Sequence, residues 1–282
     1  VNYGSLAGPP YFEDSRTELS AKKNVALSSF TPTALGGGSL VYSAAGLPPG
    51  LTINSATGTI SGSTDEVGAS TFTVFVSGTN ASGADRSVSK TYVLKVTDPG
   101  SYPFQLPITL SGYTGSGTLS QFPVLIELNS SITGFSYNSL LSPTGNDLRF
   151  FSVGGEELPY EIETWNPSGT SRIWVRVPSI SGNNTVITAA WGKTTDSLVP
   201  SYVTDKSAWS NNYHGAWHFQ ELTGSTLADS GPKNHQGTAV GDGVSVTTGQ
   251  VGKGVSLDGS QDFVNFGRLA GNAGSVFTVS LW

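Results

Sequence analysis

Leu47-Pro48-Pro49-Gly50-Leu51-Thr52-Ile53, followed closely by Thr57-Gly58-Thr59-Ile60-Ser61-Gly62, is the stretch from which the fold of this chain is read. Pro48 and Pro49 fix φ in a turn, and Gly50 permits the chain to reverse. Leu47, Leu51 and Ile53 alternate into a core, while Gly58 and Gly62 flank a very short strand. The same grammar runs outward. Thr71–Val76, Lys90–Val96 and Arg172–Val177 each combine β-branched and aromatic residues over a short run bounded by Gly, Pro, Asn or Ser. No stretch of about 12 residues or more sustains apolar i, i+3, i+4 spacing, so long amphipathic helices are not expected. The class that follows is all-β, built as tandem β-sandwich domains.

The segment 42–62 closely resembles the immunoglobulin-like, dystroglycan-type cadherin-like repeats of bacterial surface proteins. Their signature is a Leu-Pro-x-Gly-Leu turn followed by Thr-Gly-x-Ile-x-Gly, and it is complete here. Gly68, the Phe72–Val76 strand, Asn80 and the Val93–Val96 strand fall where that family places them. The resemblance implies an Ig/cadherin-like sandwich over residues 1–98, closed by the turn-forming Asp98-Pro99-Gly100-Ser101.

A second set of blocks runs from Phe104–Leu110 and Phe122–Leu128 through Asn146-Asp147-Leu148-Arg149-Phe150, Leu158–Trp165 and Ile173–Pro178 to Ala189–Lys193. Their order and spacing resemble an uncharacterised β-sandwich family that often precedes laminin-G-like domains in bacterial exported proteins. That resemblance covers residues 103–195 and brings no known activity. Residues 196–212 read as a polar linker. Beyond them, Gly215–Phe219, Leu227–Thr238, Gly252–Gly259, Asp262–Phe266 and Phe277–Trp282 resemble the opening half of a laminin-G-like, concanavalin-type jelly roll over residues 213–282. Phe277–Trp282 reads as a strand well inside such a roll. Half a sandwich leaves strand edges open, so the expectation is that the natural chain continues, or that a second chain completes the domain in trans.

Composition narrows the function. Charged residues make up 12% of the chain, about half the usual share, and 36 Gly with abundant Ser and Thr take their place. A net charge of −6 with no basic stripe makes nucleic acid and anionic membrane poor partners. The absence of Cys excludes disulfides, thiol catalysis and thiolate metal sites, and with no Met the chain tolerates an oxidising exterior. No apolar run approaches the ~20 residues that span a bilayer, and Val1 opens without an initiator Met or a signal-peptide pattern. Asn80-Ala81-Ser82, Asn129-Ser130-Ser131 and Asn183-Asn184-Thr185 match the glycosylation sequon, a match short enough to arise by chance.

Candidate chemistry is sparse. Glu161 and Glu163, two apart on a strand, share a face at roughly 7 Å, within reach of paired glycosidase carboxylates. Such pairs normally come from different strands, and the preferred reading is an exposed strand face balanced by Arg172 or Arg176. His214 and His218 are four apart, which on a helix would suit one metal; Trp217 and Phe219 argue instead for a strand, where four residues span ~13 Å and chelation fails. Gly249–Gly254 only superficially resembles a phosphate loop, since Thr247 stands where the first Gly is required and Gly254 replaces Ser or Thr. Calcium is the cofactor to weigh, with Asp229, Asn234, Asp258 and Asp262 as loop ligands, against a reading in which Asp229 organises its own Ser-Gly-Pro turn. Trp165, Trp174, Trp191, Trp209 and Tyr213 could stack on sugar faces if exposed, but each suits a sandwich core.

With no catalytic motif in view, the expectation is a non-enzymatic, extracellular or cell-surface adhesin fragment. Its first two modules act as spacers, and its partner is a glycan or a surface protein bound through the laminin-G-like part. The alternatives are a self-assembling subunit of a surface layer or filament, and an accessory region of a secreted polysaccharide- or protein-degrading enzyme.

Overall fold

The structure is a computed structural model, and it describes residues 8–36, 38–79, 84–209, 213–220, 222–267 and 278–280. The Asn80-Ala81-Ser82 sequon and Phe277, Leu281 and Trp282 of the final expected strand lie outside the described residues; Thr278–Ser280 carry no strand. The chain is all-β and built from tandem β-sandwich domains. It forms two compact units, residues 1–101 with 151–157, and residues 102–150 with 158–282.

The first unit holds β1 (Tyr11–Phe12), β2 (Glu18–Lys22), β3 (Ala34–Leu35), β4 (Val41–Ala45), β5 (Leu51–Ile53), β6 (Ile60–Gly62), β7 (Gly68–Thr79) and β8 (Asp85–Thr97). Its main sheet has the order β2-β8-β7-β4, with β2 parallel to β8 and the other pairs antiparallel. The short hairpin β5–β6 faces it, and Leu19, Phe30, Tyr42, Leu51, Ile60, Phe72, Tyr92 and Leu94 fill the core between them. The turn that decides the fold is a type II reversal in form. The Leu51 amide donates to the Pro48 carbonyl at 3.2 Å, Pro49 precedes Gly50, and Gly50 has φ of +83°. A Cβ on Gly50 would lie 2.0 Å from the Ser63 carbonyl oxygen, so both conformation and space exclude a side chain there.

The second unit opens with β9 (Phe104–Leu110), β10 (Leu119–Asn129), β11 (Arg149–Ser152), β12 (Tyr160–Thr164), β13 (Thr170–Ile180) and β14 (Thr185–Trp191). Two three-stranded sheets, β10-β13-β12 and β11-β14-β9, enclose a core of Leu128, Phe135, Leu148, Phe150, Leu158, Tyr160, Ile173, Val175, Ile187 and Trp191. The Asn146–Phe150 block is explained by what it holds. The fully buried Asp147 carboxylate accepts the amides of Leu141 (2.9 Å), Ser142 (3.0 Å) and Gly192 (2.9 Å). Arg149, also buried, donates to the carbonyls of Asn146, Leu148, Asp196 and Leu198 at 2.8–2.9 Å. Each pins irregular chain that a sandwich of this size cannot pair in a ladder.

Residues 196–209, read from sequence as linker, form short 3-10 turns at Ser201–Val203 and Ser207–Trp209, and bury Ala208 and Trp209. After them come β15 (Thr226–Leu227), β16 (Gly237–Val240), β17 (Ser245–Thr248), β18 (Lys253–Ser256) and β19 (Phe263–Asn265). They make a β15-β16-β19 sheet and a β17–β18 hairpin. The glycine-rich run 249–254 is the turn of that hairpin and its return strand, with the Gly249 amide bonded to the Gly252 carbonyl at 3.1 Å. Among the described residues no helix is long and apolar enough to cross a membrane.

Candidate functional site

The strand β12 carries Glu161 and Glu163, and its pairing with β13 shifts register between Ile162 and Thr164. Before the shift, Glu161 lies opposite Trp174 of β13, on the face of the sheet away from the core. Glu163, two residues on, lies on that same side, as strand alternation requires, and the register shift falls just beside it. The face is not solvent-exposed. Trp209 and the segment 213–220 cover it, and His218 is placed between the two carboxylates.

His218 Nδ1 pairs with Glu163 Oε2, and the two side chains are only 13% and 1% exposed. His218 Nε2 lies 3.5 Å from Glu161 Oε2. Glu163 Oε2 also accepts Trp174 Nε1 at 3.0 Å, and Gln220 Nε2 donates both to the Glu163 carbonyl at 2.8 Å and to its Oε1. Glu161 accepts the Ser230 hydroxyl at 2.6 Å on Oε1 and the Trp209 indole on Oε2. The rings of Trp174 and Trp209 stand 6.4 and 5.3 Å from the His218 ring. The hairpin turn after β17 closes the remaining side. Gly252, at φ +64°, would place a Cβ 2.0 Å from Glu163 Oε1.

Burial by itself favours neutral imidazole, but the Glu161 and Glu163 carboxylates outweigh it and raise the His218 pKa to about 9. Burial likewise opposes charge on Glu161, yet His218, Ser230 and Trp209 hold its carboxyl below the ordinary value. At neutral pH the imidazole is therefore held protonated beside an ionised Glu161. The imidazolium is held between the two glutamates, which also accept fixed donors: Ser230 and Trp209 on Glu161, Trp174 and Gln220 on Glu163.

Several expectations change here. Glu161 and Glu163 do not form an exposed face: Glu163 is buried and Glu161 half-buried. Arg172 pairs with Glu127 across β10–β13 at 2.9 Å, and His218 is the partner of both glutamates. Residues 213–220 are not a strand, and Phe219 has φ of +54°. His214 is exposed and takes no part. The missed partner had one signal in the sequence: Trp174 alternates with Arg172 and Arg176 on the outer face, and so large a ring there calls for a covering segment.

The candidate calcium ligands separate into two places. Asp229 is buried and its carboxylate accepts the amides of Ala216 (2.8 Å), Gly231 (2.6 Å) and His235 (2.7 Å). Asn234 Oδ1 accepts Lys206 Nζ at 2.8 Å. Asp258 and Asp262 meet Asp242, with one carboxylate oxygen of each within 4.8 Å of the others. The Asp262 carboxyl is held below its ordinary value, first by the Asp258 amide. Of the aromatic candidates, Trp191 lies wholly in the core and Trp209 is buried. Trp165 is half-buried, its indole bonded to the Pro143 carbonyl at 2.7 Å and its ring against Tyr137. Tyr213 stands edge-on to Trp209.

Beside Glu161, a cleft of about 250 Å³ opens between residues 203–206 and 228–236. Glu161, Lys206, Ser230, Asn234 and Gln236 give it a polar wall, and Val203 and Ala228 contribute apolar surface.

Comparison with known families follows the division seen in the fold. Residues 9–97 match the family described as Putative Ig domain. The Ig-like module is thereby the first unit's sandwich, with its Leu47–Gly62 signature. Residues 144–211 match a domain of unknown function, DUF2341, which includes Glu161, Glu163, Trp174 and Trp209 but stops short of His218. No curated protein matches the chain. Among solved structures, a putative alpha-galactosidase from Bacteroides fragilis is 24% identical, with a TM-score of 0.28, over 34% of this chain and 19% of that one. The human Desmocollin-1 ectodomain is 16% identical, with a TM-score of 0.28, over 62% of this chain and 34% of that one. Human CDH23 EC21-23 is 14% identical, with a TM-score of 0.27, over 61% of this chain and 55% of that one. The chain thus spans well under two thirds of each, and at these scores the likeness says nothing about activity or partners.

Proposed function

We propose that this chain is a non-catalytic section of an extracellular, adhesion-type protein. The Ig-like module and the DUF2341 sandwich serve as spacers, and residues 213–282 open a laminin-G-like, concanavalin-type domain that binds a glycan or a surface protein. The observation that carries this reading is the placement of His218 between Glu161 and Glu163. The pair of carboxylates that could have served acid–base chemistry is consumed in fastening segment 213–220 to β12 and β13. The Putative Ig domain match over residues 9–97 and the low-charge, hydroxyl-rich composition support the same reading. A glycan array and a cell-binding assay on the full-length natural protein test it. Saturable binding without glycoside turnover is expected; a blank in both assays, or hydrolysis abolished by Glu161→Gln, would overturn it.

A further inference from the structure

We propose that the cleft beside Glu161 is a binding site for a single uncharged sugar ring. The proposal rests on the glycan-binding reading above and gives it an address that no family match assigns.

Preorganisation is the first argument. A binding site differs from a chance depression in that its polar groups are fixed before the ligand arrives. Glu161 is held by Ser230 and Trp209. Lys206 Nζ is held by the Asp229 carbonyl and Asn234 Oδ1, both at 2.8 Å. Asp229 is in turn locked by its three backbone amides. Lys206 sits in the left-handed region at φ +69°, which a lysine adopts at a cost, and Asn234 at φ +56°, where asparagine is readily accommodated. The two are joined to each other across the cleft wall.

Chemistry and size identify the ligand class. The wall offers a carboxylate acceptor and an ammonium with a third proton to donate. It adds the Thr204 hydroxyl and the Asn234 and Gln236 amides, which can act in both senses, and the Ser230 oxygen as an acceptor, its proton being given to Glu161. An anion would meet Glu161, and a cation would meet Lys206; a neutral molecule bearing several hydroxyls meets a partner at each. Val203 and Ala228 suit the C–H face of a ring. About 250 Å³ falls below the ~300–1,000 Å³ of sites for drug-sized molecules and suits one ring. With so few atoms to bury, the dissociation constant falls near the millimolar range.

The test is NMR on the whole chain, using saturation transfer and backbone amide shifts. The probes are methyl β-D-glucopyranoside, methyl β-D-galactopyranoside and N-acetylglucosamine, with acetate and glycine as charged controls. At least one sugar should shift amides in 203–206 and 228–236, with a dissociation constant of roughly 1–10 mM. Gln236→Ala and Thr204→Ala, both exposed, should weaken it about fivefold or more without changing the melting temperature. No sugar response up to ~100 mM, shifts centred elsewhere, indifference to both variants, or a stronger response to acetate or glycine would overturn the site. The two levels separate cleanly. A positive glycan array with an empty cleft removes the site and leaves the proposed function, whereas cleft binding with a blank array and a blank cell assay does the reverse.

Discussion

His218 Nδ1 and Glu163 Oε2 form a buried ion pair that joins the segment after Trp209 to the outer face of β12. Removing one member of such a pair leaves the other buried without its counter-charge, which typically costs ~3–5 kcal/mol. His218→Gln should lower the stability of the second unit by about that much, as read by urea unfolding. An effect below ~1 kcal/mol would mean that the pair is solvent-screened.

The same pair sets a pH dependence. The His218 pKa rises from 6.5 unfolded to about 9 folded, so its contribution is complete below 6.5 and is lost as the pH climbs through about 9. The Glu161 pKa is lowered from 4.5, so its contribution is present above that value and is lost as the pH falls through the lower folded one. Stability should therefore be flat between about pH 4.5 and 6.5 and fall steadily from there through about pH 9, by on the order of 3 kcal/mol in all, a decline that His218→Gln abolishes. Melting curves from pH 5 to 10 check it.

Gly50→Val should destabilise the Ig-like module by more than ~1 kcal/mol, because it demands a β-branched residue at φ +83° with the Ser63 carbonyl oxygen 2.0 Å from the new Cβ. Differential scanning calorimetry should show the first unit's transition moving down. An unchanged transition would refute the turn.

Asp147→Ala should be among the most damaging single changes in the DUF2341 sandwich. It strips the acceptor from the amides of Leu141, Ser142 and Gly192 in a fully buried place. The expected loss is roughly 3 kcal/mol or more by chemical denaturation. Hydrogen exchange should show those three amides losing protection first.

The parts of this molecule that were legible in its sequence are those specified locally. The Pro48–Leu51 turn and the Ile60–Gly62 strand follow from residues that constrain their own backbone. The Thr71–Val76, Lys90–Val96 and Arg172–Val177 runs all lie within observed strands β7, β8 and β13. Alternation placed Glu161 and Glu163 on one face, as observed, but the His218 partner that joins them was not legible. Charge pairing inferred from neighbours favoured Arg172 and Arg176, whereas the actual partner arrives from a segment whose course depends on Trp209 packing against Trp174 at 5.3 Å. Asp229 shows the converse: its Ser-Gly-Pro context announced a local turn, and the amides of Gly231 and His235 confirm that the carboxylate serves it.

The central claim is that Glu161 and Glu163 fasten a protonated histidine instead of serving as a reaction pair. The most direct test is a pH titration of the His218 imidazole followed by nitrogen NMR in the intact chain. Both ring nitrogens should remain protonated throughout neutral pH, with the transition near 9. A transition near the ordinary 6.5 would contradict the account and return the two glutamates to the list of potential acids and bases.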